Sequence, residues 1–404
     1  MHIDFGQLIH ALSDTIDLVG VDEIEHGKRV GFMAQEISRI MGADRKEQIR
    51  LYHAGLLHDC GVSSTRVHRK LVDELDWTES QHHCQIGSER LRRFGPLADF
   101  ADITLYHHTQ WQQLEGKKLP DAIKCQANLI YMADRVDALA VMQGKKNRLA
   151  CREGICNIIT RYRGSHFKPE LVDAFLGVAE KESFWITQQP EHLRSYLQKQ
   201  MNEATGISLD IEQLTSMAEI FAEIVDAKSP YTAEHSLGVA RLSDHLARHC
   251  QLDDTTIAEI RVAGLLHDLG KMQVPDKILE YRGYLEGENL SIMRHPSYVT
   301  LMILGRIKGF EEISLWAANH HEKLDGSGYP FKKTASELSI ESRIIMVADI
   351  FQALAQNRPY RKALATDTIV AMLKKQTAQH KLDRHIVDIV AAVPDQCRSV
   401  ATTC

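Results

Sequence analysis

The sequence has no run approaching the ~20 consecutive apolar residues that cross a bilayer, which excludes a helical membrane span as its organising feature. Its opening residues, Met1-His2-Ile3-Asp4-Phe5, lack the basic start and apolar stretch of a signal peptide. The eight cysteines are scattered singly with no C-x-x-C pair, so they read as reduced thiols, and the expected location is cytoplasmic. Positive charge is in deficit: 48 Lys and Arg stand against 54 Asp and Glu, a net charge of −6. That balance argues against non-specific binding to a nucleic acid polymer or an anionic membrane. Sustained apolar–polar alternation of period two is also missing, so the expected fold is all-α, with short strand pairs confined to loops.

What is present is helical periodicity and histidine. Of 404 residues, 44% are hydrophobic and 25% charged, the mix of an ordinary globular protein long enough for two or three domains. Histidine is the outlier at 21, several of them beside an aspartate or another histidine. Ile211, Leu214, Ala218, Phe221 and Val225 follow the spacing of an amphipathic helix. A second helix is expected from Pro230 with Thr232 as its N-cap, carrying His235 and Val239. A third, opened by Asp253-Asp254, runs to His267-Asp268 with Gly270 as its stop.

An internal repeat sets the architecture. Ala54-Gly55-Leu56-Leu57-His58-Asp59-Cys60-Gly61 recurs as Ala263-Gly264-Leu265-Leu266-His267-Asp268-Leu269-Gly270, 209 residues on, and His26 recurs as His235 at the same spacing. Downstream, His83 pairs with His295, His107-His108 with His320-His321, and Asp134 with Asp349. Five matches in order imply a tandem duplication. The expected division is 1–185, a helical connector over 186–208, and 209–404.

Any one of these histidines also fits as a core side chain bonded to a carbonyl. Seven in the same order twice point instead to metal. In the C-terminal half the candidate ligands are His235, His267, Asp268, His295, His320, His321 and Asp349, each on or at the end of an expected helix, as in bundles that aim ligands inward. Seven donors exceed one tetrahedral zinc and suit two octahedral ions, with Asp268 as the carboxylate bridge. Two ions so placed activate a bridging water to hydroxide and clamp the oxygens of an in-line displacement at phosphorus. Lys271, one turn beyond Asp268, is placed to meet a phosphate oxygen.

His267-Asp268, His320-His321-Glu322, the loop Lys323-Leu324-Asp325-Gly326-Ser327-Gly328-Tyr329-Pro330, and Arg358-Pro359-Tyr360-Arg361 together resemble the HD-GYP family of cyclic dinucleotide phosphodiesterases, over about residues 210 to 395. The resemblance implies tandem HD-domain helical bundles and hydrolysis of cyclic-di-GMP or 3′,3′-cyclic GMP-AMP to a linear dinucleotide. It implies divalent iron or manganese, with zinc or nickel also compatible with such ligands. It carries the seven ligands over with Asp268 as the bridge, and Lys271 as the phosphate-contacting lysine. Arg358 and Arg361 become substrate-phosphate contacts, a role suited to guanidinium chemistry, and Asp325, Gly326 and Tyr329 become parts of the signature loop. Tyr231 stands where three-metal members carry glutamate, which favours two ions.

The N-terminal half keeps His26, His58, Asp59, His83, His107, His108 and Asp134. Val62 replaces Lys271, however, and Thr109-Gln110-Trp111 follows the histidine doublet with no G-Y-P loop. It reads as a degenerate HD domain with a regulatory or structural part, and whether it binds metal or has activity, such as removing a phosphate from the linear product, is open. Two other functions fit the ligands alone: a phosphohydrolase of nucleoside phosphates or (p)ppGpp, and a cyclic dinucleotide receptor without turnover. A homodimer is compatible with two helical units.

Overall fold

The computed structural model describes residues 3–19, 25–62, 64–73, 80–143, 147–201, 208–228, 235–281, 283–357 and 361–402. The expected start at Pro230, the Thr232 cap, Tyr231 and Arg358 lie outside those residues. The chain forms two compact units, one of Phe5–Ile207 and one of Ser208–Cys404 together with Met1–Asp4. Both are built from helices. The strands are two residues each, Ile3–Asp4 paired antiparallel with Ser208–Leu209. Among the described residues no helix is long and apolar enough to cross a membrane.

In the N-terminal unit, helix Arg45–Leu57 starts where Asp44 accepts a hydrogen bond from the Glu47 amide at 2.8 Å, supplying one of the partners that a first turn lacks. It packs on helix His26–Ile40 at very short range: a Cβ added to Gly55 would lie 2.4 Å from Gly31 Cα. Helix Asp121–Met142 packs against both, and Met33, Ile37, Leu57 and Ile130 are fully buried. The C-terminal unit repeats the arrangement. Asp253 caps helix Asp254–Leu266, which packs on helix His235–His249, and a Cβ on Gly264 would approach Ala240 Cα at 3.0 Å. The two glycines therefore predict different tolerances. Gly55→Ala should destabilise its unit by about 2–3 kcal/mol and Gly264→Ala by about 1 kcal/mol, read as shifts of unfolding midpoint in urea.

Three local expectations change. The helix expected to run to Gly270 ends at Leu266, and Gly270 sits inside a 3-10 turn, Leu269–Gln273. Glycine is needed there for close approach, not termination, since a Cβ would meet the Pro296 carbonyl oxygen at 2.1 Å. Gly61 makes the same approach to the His83 carbonyl oxygen, where a Cβ would stand at 1.9 Å. Of the expected connector 186–208, the described residues 186–201 belong to the N-terminal unit, and 202–207 lie outside the described residues. Its helix, Pro190–Met201, packs within the N-terminal unit, with the Tyr196 ring edge-on to Phe32 at 4.9 Å, and the unit boundary falls at Ile207–Ser208.

Candidate metal centre

Helix ends bring the C-terminal ligands together. His235 opens its helix, and Asp226 fixes that start by accepting from the Ser236 amide at 3.0 Å and hydroxyl at 2.9 Å. His267 and Asp268 follow helix Asp254–Leu266 directly, His320 and His321 lie on the 3-10 turn Asn319–His321, and Asp349 lies within helix Ile340–Ala355. The Asp268 carboxylate divides its oxygens. Oδ2 faces Nε2 of His267 at 3.1 Å and of His235 at 3.5 Å, while Oδ1 faces Nε2 of His320 at 3.7 Å. Asp349 divides likewise, Oδ1 toward His235 at 3.3 Å and Oδ2 toward His321 at 3.9 Å. Donors each ~2.1 Å from one ion stand about 3.0–3.5 Å apart, so these spacings match ligands around a cation better than hydrogen bonds.

The rings are held for that purpose. Nδ1 of His267 donates to the Gly264 carbonyl at 2.8 Å and Nδ1 of His320 to the Ala317 carbonyl at 2.6 Å. A carbonyl only accepts, so each Nδ1 carries the proton and each Nε2 presents a lone pair. Nε2 of His235, His267 and His320 and Oδ1 of Asp268 are all buried without a hydrogen-bond partner. Four such atoms converging in one place would be costly unless a cation met them. His235, His267 and Asp268 alone already present donors within 4.8 Å of one another. The residues present fit a divalent metal.

Electrostatics agree. Burial opposes ionisation of Asp268, yet the facing His267 imidazole and the Lys271 ammonium hold its carboxyl well below the usual range. Asp349 is held down in the same way against burial by the facing His235 imidazole. Burial depresses His235 as well, but Asp268 and Asp349 outweigh it and draw the imidazole up to about 9. The two carboxylates thus attract positive charge, whether a proton or an ion. Burial lowers His321 to about 4 and His320 well below its ordinary value, keeping both neutral and able to ligate. Lys271 Nζ lies 2.5 Å from Asp268 Oδ2, so an ammonium stands at the mouth of the group.

Not every expected residue joins. His295 is exposed on helix Gly287–Leu304, and none of the ion pairs or ring contacts of the cluster reaches it. The reason is register. Gly61 packs on His83 whereas Gly270 packs on Pro296, so the backbone counterpart of His83 is Pro296, and a residue one position earlier on a helix is turned by about 100°. Arg361 donates to the carbonyls of Ala353 at 2.7 Å and Leu354 at 3.0 Å, and so caps the last turn of helix Ile340–Ala355. Asp325 is exposed and accepts from the Ser327 amide and hydroxyl, a local turn, and Gly326 takes φ +76. The Tyr329 ring packs at a tilt of 44° against His321 with centres 4.8 Å apart, and the Arg294 guanidinium lies over the Tyr329 ring, 5.4 Å from its centre.

Three residues outside the expected site set carry parts of their own, two of them from the quoted motifs. Gln352 receives Nδ1 of His235 at 2.5 Å; it lies one turn after Asp349, a spacing that would have flagged it. Glu322 is fully buried and accepts from the amides of Phe331 at 2.7 Å and Lys333 at 3.1 Å, pinning the signature loop across its base. Burial lowers the Lys323 ammonium, with the Asp349 charge acting in the opposite sense. Gln352→Leu should weaken metal affinity roughly 10–100-fold, measured by competition with a chromogenic chelator, because the ring it orients would lose its anchor.

The N-terminal unit builds the same geometry. Asp59 Oδ2 faces Nε2 of His58 at 3.4 Å and of His26 at 3.8 Å, and Oδ1 faces Nε2 of His83 at 3.4 Å and of His107 at 3.8 Å. His58 and His107 anchor Nδ1 on the carbonyls of Gly55 and Thr104. Here an aspartate replaces the glutamine: Asp137 receives Nδ1 of His26 at 2.7 Å and is itself bound by Arg29 and Arg148.

Helical bundles with a His-Asp pair closing a cage of histidines form the class of HD-domain proteins, and models of the HD domain match both halves, over residues 24–139 and 217–386. The chain is 35% identical over 407 residues to 3'3'-cGAMP-specific phosphodiesterase 1 of Vibrio cholerae, covering 96% of this chain and 91% of that protein. It is 34% identical over 298 residues to 3'3'-cGAMP-specific phosphodiesterase 3 of the same organism, covering 73% of this chain and 63% of that one. A crystal structure of a V. cholerae cyclic GMP-AMP-specific phosphodiesterase, V-cGAP3, matches with a TM-score of 0.67 at 25% identity, over 98% of this chain and 100% of that chain. The chain belongs to the HD-GYP family of cyclic dinucleotide phosphodiesterases, with tandem HD domains.

Proposed function

We propose that the C-terminal unit hydrolyses a 3′–5′ phosphodiester of a cyclic dinucleotide, 3′,3′-cyclic GMP-AMP or cyclic-di-GMP, to the linear product. The observation that carries this is the divided Asp268 carboxylate, with unpartnered imidazole nitrogens facing each of its oxygens. His235, His267, Asp268 and Asp349 would hold one ion, and Asp268, His320, His321 and Asp349 the second. His295, exposed and turned from the cluster, is left out of this set. Iron or manganese suits this set, with zinc or nickel compatible. Bound there, two ions supply Lewis acidity at phosphorus and a nucleophilic hydroxide near neutral pH.

The chain's own residues do the rest. Lys271, partly exposed beside Asp268, offers its ammonium to a phosphate oxygen as charge builds up in the transition state. Tyr329 and Glu322 form and fix the wall next to His321, so a bound phosphodiester is oriented against a rigid loop. Arg358 of the Arg-Pro-Tyr-Arg segment is the phosphate-binding arginine of this reading, while Arg361 caps the preceding helix. The seven described cysteines are all free, in keeping with a cytoplasmic site of action. Full-length protein loaded with Mn(II) or, anaerobically, Fe(II) should convert at least one of the two cyclic dinucleotides to its linear form. Binding of either without product would make the unit a receptor, and turnover of nucleoside phosphates or (p)ppGpp alone would make it a different phosphohydrolase; both results overturn the reading.

A further inference from the structure

We propose, resting on the phosphodiesterase reading of the C-terminal unit, that Lys228 is a positioning residue for Lys271: its buried ammonium holds the carbonyl of Met272 and so fixes the turn from which Lys271 reaches the cage. Lys228 lies just past helix Ile211–Asp226, and its side chain is 1% exposed. Burying an ammonium is costly, and burial here pulls the group down to about 8, with the Asp276 charge acting in the opposite sense. Nζ donates to the Met272 carbonyl, near the end of the 3-10 turn Leu269–Gln273, and stands 3.9 Å from Asp276 Oδ1. Carbonyls at the end of a helical turn have no partner within it, so a donor from outside is what they need.

The turn is held from two directions. On one side Gly270 packs on Pro296 and its amide donates to Thr300 Oγ1 at 3.0 Å, while that hydroxyl donates to the His267 carbonyl at 3.2 Å. On the other, Lys228 ties the turn to the end of helix Ile211–Asp226. Lys271 sits between these anchors, its amide bonded to the Asp268 carbonyl at 2.9 Å and its Nζ 2.5 Å from Asp268 Oδ2. A displacement of ~1 Å in a group that meets the reacting phosphate is enough to cost ~10²-fold in rate.

The N-terminal unit supplies the contrast. Asp17 accepts from the Gly27 amide as Asp226 does from the Ser236 amide, so Val19 is the counterpart of Lys228. The backbone agrees, since the amides of Val19 and Lys228 bond the carbonyls of Ile16 and Val225, each at 3.0 Å. Val62 matches Lys271 in the same way, its amide 2.8 Å from the Asp59 carbonyl. Both valines are buried. The fold therefore accepts valine at either place. The two lysines occur together in the unit with the signature loop and are absent together from the other. A buried ammonium that packing does not require is kept where there is a second lysine to aim.

The test is a double-mutant cycle on the metal-loaded full-length chain. Lys228→Met should lower kcat on the cyclic dinucleotide roughly 10–10²-fold while metal content stays at the wild-type value. In a Lys271→Met background the same substitution should change kcat by less than about threefold, because the group it positions is gone. Equal fractional losses in the two backgrounds would make Lys228 a support of the fold alone, and no loss in either would remove it from the mechanism; both overturn the proposal. Affinity for inorganic phosphate, measured by calorimetry on the same four proteins, reads the cycle without turnover. There Lys228→Met should weaken binding about 10-fold only where Lys271 is present, and a weakening that is absent or equal in both backgrounds overturns the proposal. A wild-type chain that hydrolyses no cyclic dinucleotide would defeat the reading of the site, and the phosphate cycle would still decide the part of Lys228. If Lys228→Met does not fold, Lys228→Val, which copies the residue at Val19, runs the same cycle with the same deciding outcomes.

Discussion

Asp268→Asn is expected to lower kcat/KM by at least ~10³-fold and to empty the C-terminal cage of metal. The amide has the shape of the carboxylate but neither its charge nor two equivalent acceptor oxygens. Asp268 is the group on which both halves of the cage converge, with His235 and His267 facing one oxygen and His320 the other. Lys271 would also lose its counter-ion. The loss should appear in metal content and in rate together, measured on the same preparation. Activity falling without loss of metal would show that Asp268 is not the bridge.

Lys271→Met separates the two effects. Methionine keeps much of the side-chain length and apolar contact while deleting the ammonium, so metal retention should be unchanged within error. Loss of one preorganised cation at a developing phosphate charge is worth roughly 10²–10³-fold in kcat, with KM changing less if the contact tightens in the transition state. A raised KM with kcat intact would assign Lys271 to binding that is equal in ground state and transition state. Equal activity of Lys271→Met and the parent would remove it from the mechanism.

Much of this was legible in the sequence because the repeat copies chemistry along with hydrophobicity. His58-Asp59 and His267-Asp268 end near-identical apolar helices, and the packing of Gly55 on Gly31 is matched by Gly264 on Ala240. What escaped depends on three-dimensional register or on groups with no signature. Aligning histidines set His83 opposite His295, but the close approach of Gly61 and Gly270 to their partners sets it opposite Pro296, and that one-residue shift turns His295 outward. Gln352 stands one turn after Asp349 and could have been flagged by that spacing, but its part became definite only with His235 pointing at it. Arg361 reads as a phosphate ligand by its neighbours, yet the open carbonyls at a helix C-terminus are the nearer acceptors. The segment 186–208 has a linker's composition in parts, but Tyr196 finds Phe32 and makes its helix part of the N-terminal unit.

Anomalous diffraction from crystals of the full-length chain grown with Mn(II) tests the central claim most directly. The account predicts two peaks in the C-terminal unit, one beside each oxygen of Asp268, with His235 and His267 around the first and His320 and His321 around the second. A single ion elsewhere on the surface, or imidazoles that stay turned from any peak, would contradict it.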